Sequence, residues 1–358
     1  MQSNSKTGGL NETRVVIVGA GPIGLELAVA LTRNQIPFQI LDAGAIGQTI
    51  SWWAPQTRWF SSNDRISIAG VPLQTNDQNK ANREQYLTYL RSVAEQYQIH
   101  VQCYQCVVDI QQRDSGFTVI SESTQGQTGI DCETVVLAVG GLDHARRLGI
   151  EGEDLPHVDG YLREPHRYYG RRVLIVGGRN SAVEAALRLY HVGAHVSLSY
   201  RGRNLPEENI KYWLYPEISG LIRSGKIQAY FKTQPVRITS TYVELEDVQK
   251  QGEPQRHYAD DVLTLIGYEQ EKSLFHRAGI ELVGDNQQPQ VNEESMETNI
   301  PGIYIAGTAL AGTQSSQYRL FLENCHQHVD RIMTRLTGKS VESEDGEWQR
   351  MIRDAPES

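Results

Sequence analysis

One piece of chain grammar occurs twice in this sequence, and it restricts the fold more than any other feature. From Arg14 to Asp42 an apolar, β-branched run (Val15, Val16, Ile17, Val18) leads into a glycine turn, a helical stretch and a second apolar run, Phe38 to Leu41. Short apolar runs bounded by glycine read as buried strands, so the segment predicts a β-α-β unit. The same order returns at Arg172: Val173, Leu174, Ile175 and Val176, then Gly177 and Gly178, a helix through about Tyr190, and a strand from His195 to Tyr200. Parallel strands joined through a helix belong to sheets covered on both faces. The expectation is an α/β protein with two Rossmann-type dinucleotide-binding domains, for which 358 residues suffice.

The rest of the chain fits around these units. A helix is predicted from Arg83 to about Tyr97, with alternating strands near Val101 to Ile110 and Phe117 to Ile120. The second half adds strands near Gln228 to Ile238 and Tyr242 to Leu245, and a terminal helix from about Ser316 to Leu336. Each half closes on an apolar strand that ends in glycine, Thr134 to Gly140 and Asp261 to Gly267, and a further such strand runs into Gly307-Thr308.

The first turn reads Gly19-Ala20-Gly21-Pro22-Ile23-Gly24. In such a turn the first glycine permits the tight bend, the second lets a pyrophosphate approach the backbone, and the third lets helix and strand pack closely. The helix N-terminus then faces the phosphates. Asp42, at the end of the next strand, is placed to accept hydrogen bonds from a ribose diol. The second turn, Gly177-Gly178-Arg179-Asn180-Ser181-Ala182, is less regular, because Arg179 stands where the middle glycine is expected. Its following strand delivers Arg201 and Arg203 instead of an acid, which suits the 2′-phosphate of NADP. Two solvated surface arginines are the plainer alternative.

Composition excludes several classes. A net charge of −9 offers no basic face for nucleic acid. The apolar run from Val15 to Leu31 is broken by three glycines, Pro22 and Glu26, which argues against a membrane span. Residues 1–13 lack an apolar signal core, and four cysteines make no disulfide framework, so a cytoplasmic location is expected. The ten histidines show no metal spacing, and no metal site is expected. Cys103 and Cys106 are read as strand cysteines, Cys132 as core or strand edge, and Cys325 as helix packing. Trp52, Trp53 and Trp59 cluster in a loop that would wall a pocket or fill an ordinary core.

The whole pattern resembles the thioredoxin-reductase-like flavoproteins, and within them the bacillithiol-disulfide reductase family. The resemblance runs from about Val15 to Arg331 and rests on Phe60-Ser-Ser62, Gly152-Glu-Asp-Leu-Pro156, Val176-Gly-Gly-Arg-Asn-Ser181, Ser199-Tyr-Arg-Gly202, Met296-Glu-Thr-Asn299 and Phe321-Leu-Glu-Asn324. It implies an FAD domain, residues 14–157 and 290–340, split around an NADPH domain, residues 158–289, with flexible tails at 1–13 and 341–358. Gly19, Gly21, Pro22, Gly24, Asp42, Gly140, Gly307 and Thr308 would then hold FAD, and Gly177, Gly178, Asn180, Ser181, Arg201 and Arg203 would hold NADPH. It also implies a homo-oligomer that reduces the disulfide of a low-molecular-weight thiol or another small acceptor.

Three departures qualify that picture. No Cys-x-x-Cys precedes the second turn, since residues 157–170 hold no cysteine, so a dithiol relay is excluded there. The turn at Gly307 carries Thr308 instead of an acid. Ile23 occupies the position where many members of the family have cysteine, and no catalytic residue is assigned. Two other readings stay open: a flavin-dependent monooxygenase, suggested by Arg179-Asn180-Ser181 with His166, Tyr168 and Tyr169 before it, and a non-enzymatic flavin redox sensor.

Overall fold

The structure, a computed structural model, describes residues 13–249, 252–314 and 320–339. The chain divides into two compact units, one formed by the residues up to Ser51, Arg58–Gly141 and the residues from Gln270 onward, the other by Trp52–Thr57 with Leu142–Glu269. The divisions fall before Leu142 and after Glu269, whereas the sequence placed them at 158 and 290. The reason is packing. Phe275 and Ile280 are buried with Val16 and Leu137 of the first unit, and Val158–Asp159 is a strand of the second unit's sheet.

In the first unit Thr13–Val18 lies parallel to Phe38–Leu41 on one side and to the end of Gly126–Leu137 on the other. Gly126–Leu137 is a long strand with two roles. Its first half pairs antiparallel with Phe117–Ser123 and is largely exposed, while its last four residues are buried beside Thr13–Val18 and Ile303–Ile305. Val15, Val16 and Ile17 have no exposed surface, as a strand covered on both faces requires. The strand begins at Thr13, inside the expected tail, and residues 1–12 and 341–358 lie outside the described residues.

The helix Pro22–Arg33 follows the first turn with proline at its start, where the missing N–H costs nothing. It buries Leu25, Leu27, Ala28, Val29 and Leu31. The helix Arg83–Gln96 opens on a reciprocal cap in which Asn82 and Gln85 satisfy each other's backbone N–H groups.

In the second unit five parallel strands run in the order Gln228–Phe231, His195–Tyr200, Arg172–Val176, Asp261–Thr264 and Val158–Asp159. The helix Asn180–His191 buries Ala182, Val183, Ala186, Leu187 and Leu189 in the core that contains Val173 and Ile175. A separate antiparallel sheet is made by Thr233–Ile238, Tyr242–Asp247 and Gln255–Tyr258. The expected strand from Gln228 to Ile238 is therefore two strands in two sheets, broken at Lys232, whose φ of 58° is left-handed.

Two other expectations are corrected. The segment from Val101 to Ile110 is interrupted after Gln102 by a turn through Tyr104, with φ 59°, and resumes as Cys106–Gln112. The terminal helix begins at His326, not near Ser316. Just before it, Leu322–Asn324 forms a short 3₁₀ turn in which Asn324 Oδ1 accepts from the Phe321 N–H, a local bond that competes with helix propagation. Residues 315–319 lie outside the described residues.

Candidate functional site: two glycine turns

The first turn shows two different demands for glycine. A Cβ on Gly19, whose φ is +108°, would lie 2.4 Å from the Ala138 carbonyl oxygen, and one on Gly24 would lie 2.0 Å from the Gly19 carbonyl oxygen. Both are collisions with backbone. Gly21 is unlike them: its φ is −76° and no atom lies within 4 Å of the Cβ it lacks. That space opens at the N-terminus of a 12-residue helix with no side-chain cap and no acid in its first turn. Free N–H groups and an open approach suit a pyrophosphate.

Asp42 anchors the other side. Its carboxylate accepts from Ala20 N–H at 2.7 Å through Oδ2 and from Gly44 N–H at 2.8 Å through Oδ1. Burial nevertheless raises its pKa above the usual carboxylate value, against the opposing pull of those two N–H groups. Each oxygen keeps a further lone pair for a hydroxyl donor.

The strand-end turns come together with the first turn. A Cβ on Gly141 would sit 2.8 Å from the Thr308 carbonyl oxygen, and one on Gly307 would sit 3.3 Å from Ile23 Cβ. Gly140 and Gly307 have φ of +81° and +73°. Ile23 itself is buried, at 5% exposure.

Three residues here escaped the sequence reading. His328, in the terminal helix, accepts the Gly307 N–H at Nδ1 across 3.1 Å. Burial, with Arg331 and His326 adding to it, pushes its pKa down to about 4, so the ring is a neutral acceptor. The unfolded chain therefore takes up this proton first, and stability that is full above pH 6.5 drains as the pH falls toward 4. We expect a loss of about 3 kcal/mol across that window in denaturant titrations, and a flatter profile for His328→Gln; identical profiles would contradict the assignment.

The second and third are Glu26 and His326, buried at 7% and 3% exposure, with Oε2 and Nδ1 2.6 Å apart. Glu26 Oε1 also accepts the Ala69 N–H at 3.1 Å. His326 Nε2 faces the Arg65 carbonyl at 3.2 Å and must donate there, which leaves Nδ1 for the carboxyl. Glu26 was legible only as an acid inside an apolar run, and its partner, 300 residues away, gave no signal.

In the second unit Gly177 repeats the role of Gly19, with φ +140° and a would-be Cβ 2.4 Å from the Leu265 carbonyl oxygen. Arg179 stands at the position of Gly21, and its backbone is extended (φ −113°, ψ −171°) as Gly21's is. Arginine is thus tolerated there, because the glycine of the first turn is needed for space and not for φ. The helix Asn180–His191 again has no side-chain cap and no acid in its first turn. Would-be Cβ atoms on Gly178 and Gly202 would lie 2.5 Å and 2.4 Å from the Tyr200 ring, so Tyr200 packs against bare backbone on both segments.

Asn180 spends its side-chain oxygen on the Lys211 N–H at 2.7 Å, while Ser181 is exposed. Arg201 and Arg203 are exposed, and neither guanidinium bonds a described residue. Two free cations follow the strand whose end, in such a fold, meets the adenosine ribose.

Residues 16–307 match the pyridine nucleotide-disulphide oxidoreductase family. Bacilliredoxin reductase Bdr of Bacillus subtilis is 32% identical over 325 residues, 91% of this chain and 98% of that protein. The chain belongs to this reductase family. Solved structures of the bacillithiol disulfide reductase Bdr (YpdA) from Bacillus cereus and from Staphylococcus aureus superpose with TM-scores of 0.85 and 0.83, at 30% and 32% identity. They cover 91% and 92% of this chain, and 99% of each of those chains is covered.

The protein is accordingly a flavoprotein oxidoreductase enzyme of the thioredoxin-reductase-like fold, with FAD and a pyridine nucleotide as its cofactors. The two open helix N-termini and the clear space at Gly21 fit dinucleotides. Among the described residues no helix is long and apolar enough to cross a membrane.

The thiols of this family member are not poised as nucleophiles. Burial raises the pKa of Cys103 and Cys106, pushes Cys132 up to about 12, and raises Cys325 further. Trp52 meets Tyr161 edge-on at 5.8 Å in the second unit, and Trp59 lies 4.5 Å from Tyr86 in the first.

Proposed function

We propose that this protein is an NADPH-dependent flavin reductase of the bacillithiol-disulfide-reductase type, passing electrons to a low-molecular-weight disulfide or another small acceptor, with FAD on the first glycine turn and NADPH on the second. FAD and NADPH supply the hydride chemistry, and the chain supplies binding and orientation. The first site comprises Gly19, Gly21, Pro22, Gly24, Asp42, Gly140, Gly307 and Thr308, and the second Gly177, Gly178, Asn180, Ser181, Arg201 and Arg203. The reaction consumes NADPH, one proton and the disulfide and yields NADP⁺ and two thiols. The observation that carries the nucleotide choice is the pair of uncommitted guanidiniums at Arg201 and Arg203. A homo-oligomer is part of the same proposal.

Ile23 tests the acceptor half. It stands at the second residue of the helix Pro22–Arg33, where the N-terminal N–H groups would favour a thiolate if the residue were cysteine. Anaerobic mixing with NADPH should reduce the bound flavin promptly, whereas bacillithiol disulfide should reoxidise it slowly. Ile23→Cys should speed reoxidation by about tenfold or more and leave reduction by NADPH unchanged, since a helix N-terminus lowers a thiol's pKa and raises the share of thiolate that attacks the disulfide. Vigorous disulfide turnover by the unaltered protein, retained when Cys103, Cys106, Cys132 and Cys325 are each replaced by Ser, would show that the disulfide is reduced from the flavin without any protein thiol.

A further inference from the structure

The two glycine turns correspond residue by residue, because equivalent bonds close both. Gly19 N–H donates to the Leu41 carbonyl at 2.7 Å, and Gly177 N–H donates to the Ser199 carbonyl at 3.0 Å. The strand registers agree, with Val18 opposite Leu41 and Val176 opposite Ser199. Asp42 follows Leu41 and Tyr200 follows Ser199, so Tyr200 stands in the second unit where Asp42 stands in the first.

The side chains occupy matching places as well. Asp42 accepts from the N–H groups of Ala20 and Gly44, the residue after the first glycine and the residue two beyond Asp42 itself. Tyr200 lies against Gly178 and Gly202, which hold those same two positions in the second unit. The Cδ2 side of its ring faces Gly178, whose missing Cβ would come within 2.5 Å, and the Cε1 side faces Gly202, at 2.4 Å. The ring is wedged where the first unit keeps its carboxylate. Tyr200 is half-buried, and its hydroxyl bonds no described residue.

At this point of a nucleotide fold an acid accepts hydrogen bonds from the adenosine ribose, and its negative charge repels a 2′-phosphate. A phenol ring carries no charge, and its single oxygen sits at its far end. Gly202 lies between Arg201 and Arg203, so the ring also spaces the backbone of both arginines from the glycine turn.

We infer that Tyr200 is a specificity-determining residue of the second site. Its ring takes the place of the ribose-binding carboxylate, leaves the 2′-hydroxyl of NAD(H) without an acceptor, and keeps that edge free of negative charge for the 2′-phosphate of NADP(H). The inference rests on the proposal that the nicotinamide nucleotide occupies the second turn, and it adds to Arg201 and Arg203 the uncharged residue before them.

Calorimetric titration of the oxidised, FAD-loaded protein tests this by equilibrium binding, with NADP⁺, NAD⁺ and NAD⁺ lacking the 2′-hydroxyl of its adenosine ribose. Wild type should prefer NADP⁺ and should bind the other two within about twofold of each other. Tyr200→Asp and Tyr200→Asn lose the same ring packing and differ in charge. The ratio of NADP⁺ to NAD⁺ affinity should be at least about tenfold lower for Asp than for Asn, the worth of one charge-assisted hydrogen bond. The Asp variant alone should also bind NAD⁺ about tenfold better than its 2′-deoxy form.

Equal preferences in the Asp and Asn variants would place position 200 away from the ribose and overturn the inference. Should neither variant fold, wild type decides: a loss of about tenfold on removing the 2′-hydroxyl would reveal an acceptor there, and the inference would be wrong, whereas equal binding upholds it. If wild type binds no nucleotide at all, the assignment of NADPH to the second unit falls, and the inference with it.

Discussion

Replacing Gly24 by valine is expected to cost this protein at least about 3 kcal/mol and its bound flavin, whereas Gly21→Ala is expected to leave the fold nearly untouched. The two glycines lie three residues apart in one turn, yet they are needed for different reasons. A Cβ on Gly24 meets the Gly19 carbonyl oxygen at 2.0 Å, and that oxygen is held in a turn whose own glycine is pressed against Ala138. Neither neighbour is a flexible side chain that can swing aside, so the helix Pro22–Arg33 must lift away from the strand Thr13–Val18. The methyl of an alanine at 21 meets nothing within 4 Å, and φ −76° is ordinary for it. Its penalty should appear only in flavin affinity, because the methyl occupies the space left for the pyrophosphate. Urea unfolding of the apoproteins and FAD titration separate the two effects. A Gly24→Val protein as stable as wild type would show that the turn can relax, and a Gly21→Ala protein with unchanged FAD affinity would remove the pyrophosphate from this spot.

The second large effect is expected from Arg201 and Arg203 together. Charge-assisted hydrogen bonds contribute roughly 1.5–3 kcal/mol each, so Arg201→Ala with Arg203→Ala should weaken NADPH about a hundredfold or more. NADH has no 2′-phosphate to lose, and its rate of flavin reduction should stay within about twofold. The guanidiniums are exposed and bond no described residue, so their removal breaks no interaction among the described residues, and the apoprotein should keep its stability. Stopped-flow flavin reduction against nucleotide concentration measures both preferences. NADPH binding by wild type should also weaken with rising salt, as exposed phosphate contacts do, and the double variant should lose most of that dependence. Equal losses for NADH and NADPH would mean that the arginines act on something other than the 2′-phosphate.

Much of this site was legible because its signals are local. Gly19 and Gly177 need their own positive φ and Gly24 faces the Gly19 carbonyl five residues before it, and the strands Phe38–Leu41, His195–Tyr200 and Asp261–Thr264 follow from short apolar runs bounded by turns. The irregular second turn was legible for the same reason, although why Arg179 is tolerated became clear only from its extended backbone. Where a local rule had a local competitor, the reading failed. Lys232 and Tyr104 adopt left-handed φ and split what looked like continuous strands, and the Asn324 side chain diverts the chain before the terminal helix.

The sequence by itself determined the two β-α-β units, their glycine turns and the charge offered after each second strand, since these depend on residues adjacent in the chain. Only the tertiary structure decided which distant groups meet. His328 accepts from Gly307 across 21 residues, Gln270 reaches Gly140 across 130, and Glu26 finds His326 across 300. No periodicity or spacing encodes such pairs, because a buried polar side chain is satisfied by whatever packing brings within about 3 Å, and that is settled by the whole core at once. The same holds for the boundary between the units. It lies where Phe275 and Ile280 find apolar partners among the first unit's strands, and a residue's hydrophobicity says that it will be buried without saying in which core.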